Sequence, residues 1–98
     1  MRARVKPGLE DEFLARYEAL AGRVAQGLDG HEVHELARDL DDEACWLITS
    51  RWRTAEDELA WEQSSDHREL TAGLRECWES AERHRYEVRL ETRHPERP

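Results

Sequence analysis

Two side chains capable of chemistry flank a turn-like QSSD in the stretch ELAWEQSSDHREL, residues 58–70: the indole of Trp61 and the imidazole of His67. An indole offers a flat apolar face and a single N–H donor, and an imidazole titrates at about 6.5, near neutrality. Together they suit the mouth of a small-molecule site. They equally suit packing plus a helix start, with His67 a structural member of the joint. Two further indoles, Trp46 and Trp52, alternate onto one face of the apolar run ACWLITSRW, residues 44–52, and read as core or cavity wall.

No residue pattern asks for a metal. His31 and His34 lie three apart in a strand-like segment, which under strict alternation puts them on opposite faces and prevents joint chelation. Cys45 and Cys77 lack CxxC or Cys/His ligand spacing, and two cysteines do not make a disulfide framework. Both read as buried small apolar residues.

The elements that must position these groups follow from periodicity. Residues 1–6 alternate as a short strand stopped by Pro7-Gly8. From Leu9 the step changes to three and four, through Phe13, Tyr17, Leu20, Val24 and Leu28, with Glu10, Asp11 and Glu12 at the electropositive helix start. HEVHELAR, 31–38, and ACWLITSRW, 44–52, read as strands joined through the Asp-rich DLDDE. Cys45, Leu47 and Thr49 leave the second face of the latter strand apolar too, so both faces ask for cover. Thr54 with Asp57 three residues on resembles a capping box, opening a helix to about Ser64; Ser65 or Asp66 caps another carrying His67, Leu70, Leu74, Cys77 and Ala81. HRYEVRLETR, 84–93, alternates most cleanly of all and is predicted as the last strand, its Arg/Glu face solvated. Trp78 is expected to be a partly exposed helix residue or a dimer contact.

The order β-α-β-β-α-α-β predicts an α+β fold of the ferredoxin-like, split β-α-β kind, with an antiparallel sheet and helices on one face. The uncovered face is expected to meet the same sheet of a second copy, giving a homodimer. At 98 residues the chain is expected to be one domain, 1–98, with 93–98 as a tail. A net charge of −8 argues against nucleic acid and anionic membrane surfaces as partners. No apolar run reaches a membrane span of ~20 residues, and MRARVKPG lacks an apolar signal core, so a soluble, cytoplasmic protein is expected.

The segments RVKPGLEDEFLARYEAL, GHEVHELARDLDDEACWLITSRW and TAEDELAWEQSSDHREL resemble antibiotic biosynthesis monooxygenase (ABM) domains, the last through a W-x-x-S-x-x-H signature formed by Trp61, Ser64 and His67. The resemblance covers residues 4–93 and implies a dimeric α+β barrel with a ligand cavity between sheet and helices in each protomer. It implies cofactor-independent oxidation of an aromatic polyketide-type intermediate, a polyphenol that itself reduces molecular oxygen once deprotonated. On that pattern His67 takes or relays a phenolic proton and Trp61 stacks on the ring or donates its N–H, with Trp46, Trp52, Asp57 and Tyr17 against the substrate. Asp57 stands where the family has an Asn near the helix start, and serves only as a base or when protonated. Haem-degrading members use an Asn on strand one and a His ligand; this chain has no Asn, and Thr71 stands at the ligand position. The resemblance therefore implies neither haem nor another cofactor. A cyclase or isomerase on the same scaffold, or a non-catalytic binding subunit, are the alternatives.

Overall fold

The computed structural model describes residues 1–95. The elements are β1 (Arg2–Val5), α1 (Glu10–Ala25), β2 (His31–Arg38), β3 (Cys45–Trp52), α2 (Ala55–Glu62), α3 (Ser65–Arg75) and β4 (Trp78–Glu82). They form one antiparallel sheet in the order β2-β3-β1-β4, with the helices on one face, the α+β architecture expected from the element order.

Helix α1 starts with Glu10, Asp11 and Glu12 in its first turn and buries Phe13, Tyr17 and Leu20. These meet Val5, Trp46, Leu74 and Cys77 in the core. Arg16 ties α1 to α3 by donating to the Gly73 carbonyl at 2.7 Å and to Glu76 at 2.7 Å. Cys45 and Cys77 are free and buried, as expected of small apolar residues. The β2–β3 connection closes on Asp39, whose carboxylate accepts the N–H groups of Asp41 at 2.8 Å and Asp42 at 3.2 Å.

The last strand is not where alternation put it. Helix α3 ends at Arg75, and the Cys77 carbonyl accepts the Lys6 N–H at 2.8 Å, which begins pairing along β1 at once. Residues 78–82 then use the whole of that short edge, from Val5↔Trp78 to Arg2↔Glu82. HRYEVRLETR is left outside the sheet, with Tyr86 and Leu90 each 86% exposed, and Trp78 and Ala81 belong to β4 rather than to a helix. A clean period-2 pattern states what a segment suits; connectivity decides which segment reaches the free edge first. Of the expected tail 93–98, residues 96–98 lie outside the described residues.

The two histidines of β2 also depart from the simple pattern. His31 pairs with Trp52 and Val33 with Arg51, so Glu32 is an extra residue at a bulge. The bulge turns His31 and His34 onto the same, helix-covered face, with ring centroids 5.9 Å apart. The opposite face stays open, leaving Leu47 47% and Val33 41% exposed.

Candidate functional site

At the joint between α2 and α3 the Ser64 N–H donates to the Trp61 carbonyl at 3.0 Å, and the Ser64 hydroxyl adds two further bonds. Ser64 Oγ donates to the Trp61 carbonyl at 2.6 Å and accepts the His67 N–H at 3.2 Å, so it closes one helix and caps the next. The spacing Trp61, Ser64, His67 is thereby a mechanical unit: it sets the two rings edge to face, centroids 5.3 Å apart at 77°. The histidine backbone makes the structural contact with the joint, and the imidazole is left to meet the indole. Burial, with Arg75 adding to it, holds the His67 pKa below the ordinary value, so the ring is neutral at pH 7.

Trp61 lines a cavity of about 310 Å³ whose wall includes Arg23, Leu28, Trp52, Asp57 and Ser64. It lies between the end of α1, the end of β3 and the start of the helical joint. Trp52 and Trp61 supply the flat apolar surfaces. Arg23 supplies a cation, its guanidinium carbon 5.8 Å from the Trp61 ring centroid and its Nε donating to Asp66 at 2.7 Å. Asp57 is already engaged: its N–H donates to Thr54 Oγ1 at 3.1 Å, and its Oδ2 accepts the Thr54 hydroxyl at 3.0 Å. It is also pressed against Gly30, where an added Cβ would stand 2.0 Å from Asp57 Oδ2, and Gly30 has φ +75°. Glycine is required there both for space and for backbone conformation.

Among the sequence-nominated residues, Trp52, Asp57 and Trp61 therefore share this cavity, with His67 edge-on to Trp61. Trp46 and Tyr17 lie deeper, each packed against Phe13 with ring centroids 5.4 and 5.9 Å away. A second hollow, of about 340 Å³, opens on the uncovered sheet face around Arg2, Ala37, Asp39, Cys45, Trp46 and Leu47, on the side of the sheet away from His67.

Tyr17 brings in residues that sequence reasoning missed. Its hydroxyl is hydrogen-bonded to His34 Nε2, and His34 Nδ1 is 2.7 Å from Ser50 Oγ on β3. The Tyr17 and His34 rings stack with centroids 5.7 Å apart, and His31 packs edge-on against Trp52 at 4.8 Å. Burial lowers the pKa of both imidazoles, for His34 with a contribution from His31, while burial raises that of the Tyr17 phenol. The Glu32 bulge, invisible to strict alternation, assembles this group. Arg23 is a different kind of omission, since its approach to Trp61 is a tertiary contact between distant elements. Among the described residues, no group of three or more His, Cys, Asp or Glu side chains is placed to hold a metal ion.

Residues 1–72 match the family model described as antibiotic biosynthesis monooxygenase. The chain is 36% identical over 88 residues to a 42.8 kDa protein in the whiE locus of Streptomyces coelicolor, covering 90% of this chain and 22% of that protein. It is 37% identical over 83 residues to the polyketide synthase CurD of Streptomyces cyaneus, covering 85% of this chain and 22% of that one. The chain thus spans under a quarter of the length of these curated relatives. In fold it is similar to SnoaB, a cofactor-independent oxygenase from Streptomyces nogalater, with TM-score 0.71 and 18% identity over 91% of this chain and 92% of that one.

Proposed function

Because the chain belongs to the antibiotic biosynthesis monooxygenase family, we propose that its cavity binds an acidic aromatic intermediate of the polyketide type and oxidises it without a cofactor. The observation that supports this most is the cavity itself, where two indoles and a guanidinium face one space with an imidazole behind Trp61. Trp52 and Trp61 bind the ring. His67, neutral by burial, accepts a phenolic proton, and Arg23 stabilises the phenolate that results. The phenolate then reduces molecular oxygen directly. A ring methylene becomes a carbonyl, one oxygen atom enters the product and the other leaves as water, so the electrons balance without an outside reductant.

In this reading residues 1–98 act as one domain in the cytoplasm. Among the described residues no helix is long and apolar enough to cross a membrane. The protein works as a homodimer, the open sheet face with Leu47 and Val33 packing on the same face of a second copy. Exposed Tyr86, Val88 and Leu90, alternating along the segment after β4, add apolar surface that a second copy would cover.

Oxygen uptake with a hydroxyanthrone tests the chemistry. The expected result is one oxygen molecule consumed per quinone formed; conversion at an unchanged rate without oxygen would favour a cyclase or isomerase. The engagement of Asp57 in its cap favours that second reading, or a non-catalytic binding role, because its carboxylate offers no hydrogen-bond donor to an oxyanion. Sedimentation tests the dimer: an interface of the usual ~1,600 Å² survives dilution to micromolar concentration. A well-folded monomer of 11.6 kDa under those conditions would refute it.

A further inference from the structure

The Tyr17–His34–Ser50 cluster lies apart from the α2–α3 joint and has the parts of a proton path. Its inner end, Tyr17, is 5% exposed and packs on the fully buried Phe13; its outer end, Ser50, is exposed. His34 connects them through both ring nitrogens, Nε2 to the phenol and Nδ1 to the serine hydroxyl at 2.7 Å. The titratable groups set against His34 are Tyr17 from α1 and His31 from its own strand, and β3 presents the neutral Ser50. His31 in turn packs on Trp52, which lines the cavity, so the cluster is joined to the cavity wall through His31 and Trp52, with Tyr17 in the layer behind it.

We propose that Tyr17, His34 and Ser50 form a proton-conducting chain between the buried inner face and solvent, with the Tyr17 hydroxyl exchanging a proton with a second phenolic oxygen of the bound ring, other than the one that His67 deprotonates. The identity of the ligand rests on the function proposed above; the conducting chain itself does not. In the starting arrangement Tyr17 O–H donates to Nε2, Nδ1–H donates to Ser50 Oγ, and the Ser50 hydroxyl donates to water. The phenol's proton passes to the Tyr17 oxygen as the tyrosine's own proton passes to Nε2. The Nδ1 proton passes to Ser50, whose proton leaves to water. One proton has moved from the phenol to solvent, no electron has moved, and Tyr17, His34 and Ser50 end as neutral as they began. That suits imidazoles whose charged form burial disfavours. The chain is left in the other tautomer and resets when the product takes a proton back.

The first test needs no ligand. Exchange of the Tyr17 hydroxyl proton with water, followed by NMR, is expected to slow at least about tenfold in His34→Gln, which keeps a hydrogen-bonding side chain but cannot relay through two ring nitrogens. Ser50→Ala is expected to slow it as well. Exchange that is not slowed in Ser50→Ala, which keeps the Tyr17–His34 hydrogen bond, would overturn the proposal whatever His34→Gln does to melting. The second test uses 1,2-dihydroxyanthraquinone, whose visible spectrum reports ionisation of the bound phenol. In Tyr17→Phe the bound dye is expected to ionise with an apparent pKa raised by roughly one unit, a tenfold change in its ionisation constant, at similar affinity for the neutral dye. A bound dye that ionises identically in Tyr17→Phe and the parent protein overturns the contact between Tyr17 and the ring. A dye that fails to bind counts against the proposed function, and the exchange measurement then decides the conducting chain alone.

Discussion

The α2–α3 joint and the inner face of β2 both bring an imidazole to an aromatic ring, but they do so by different means. At the joint, the spacing is local: Ser64 bonds the Trp61 carbonyl and the His67 N–H, and three residues of one short segment fix the geometry. On the sheet, His34 meets Tyr17 and Ser50 from two other elements, and it and His31 share a face only because Glu32 is an extra residue. Local construction leaves the His67 ring with no hydrogen bond among the described residues, packed edge-on against Trp61. Tertiary construction makes His34 a cross-link between α1, β2 and β3, so the proton transfer proposed there is entangled with stability. Substitutions can be chosen to separate the two regions on this point.

The largest effect is expected at the joint. If His67 is the proton acceptor proposed above, His67→Ala should lower turnover by about 10² to 10⁴ while leaving the melting temperature nearly unchanged. A large loss of stability in that variant, with turnover intact, would make the joint as entangled as the sheet and erase the contrast. Next comes Trp61→Ala, which deletes a ring that is only half-buried. It should cost about 2 to 3 kcal/mol in denaturant unfolding, below the ~3–5 kcal/mol of a fully buried ring, and should abolish ligand binding. Ser64→Ala removes a helix cap and should cost about 1 kcal/mol. Its sharper readout is catalytic: if Ser64 orients both rings, turnover falls with stability, and if it falls no further than the folded fraction does, the signature is a cap and nothing more.

The same contrast explains what could be read from the sequence. Helix α1, the β2–β3 hairpin and the start of α2 are legible because each is written in a local period or cap: Phe13, Tyr17 and Leu20 at helical steps, Asp39 at the turn, Thr54 at the N-cap; the cap of α3 falls at Ser64, ahead of the expected Ser65 or Asp66. The helix-covered face of β3 was legible from its alternating indoles. The Glu32 bulge was not, since one inserted residue leaves no compositional mark and reverses the facing of everything before it. The strand after α3 is not legible because WESAE alternates poorly, yet it follows the helix immediately and reaches β1 before HRYEVRLETR can. Arg23 over Trp61 joins residues far apart in sequence, and no local rule predicts such a contact.

The smallest effect concerns pH and compares the two imidazoles as neutral buried groups. The folded-state pKa values of His34 and His67 lie below the ordinary ~6.5 that each recovers on unfolding, chiefly through burial. Between the folded and unfolded values the unfolded chain binds more protons, so acid favours unfolding. The associated stability is fully present above about pH 6.5, declines as pH falls below it, and stops declining once pH is beneath the folded pKa. Denaturant unfolding from pH 7.5 to 5 should show that slope in the parent protein. His34→Gln should lower stability at pH 7.5, because it breaks the link to Tyr17 and Ser50, yet flatten the slope, since no proton is taken up at that site on unfolding. His67→Gln should flatten the slope as well, but with no loss at pH 7.5, because its ring carries no hydrogen bond among the described residues. Equal losses at pH 7.5 in the two variants would mean that the joint histidine is as structural as the sheet histidine, and that local spacing does not free a ring for chemistry.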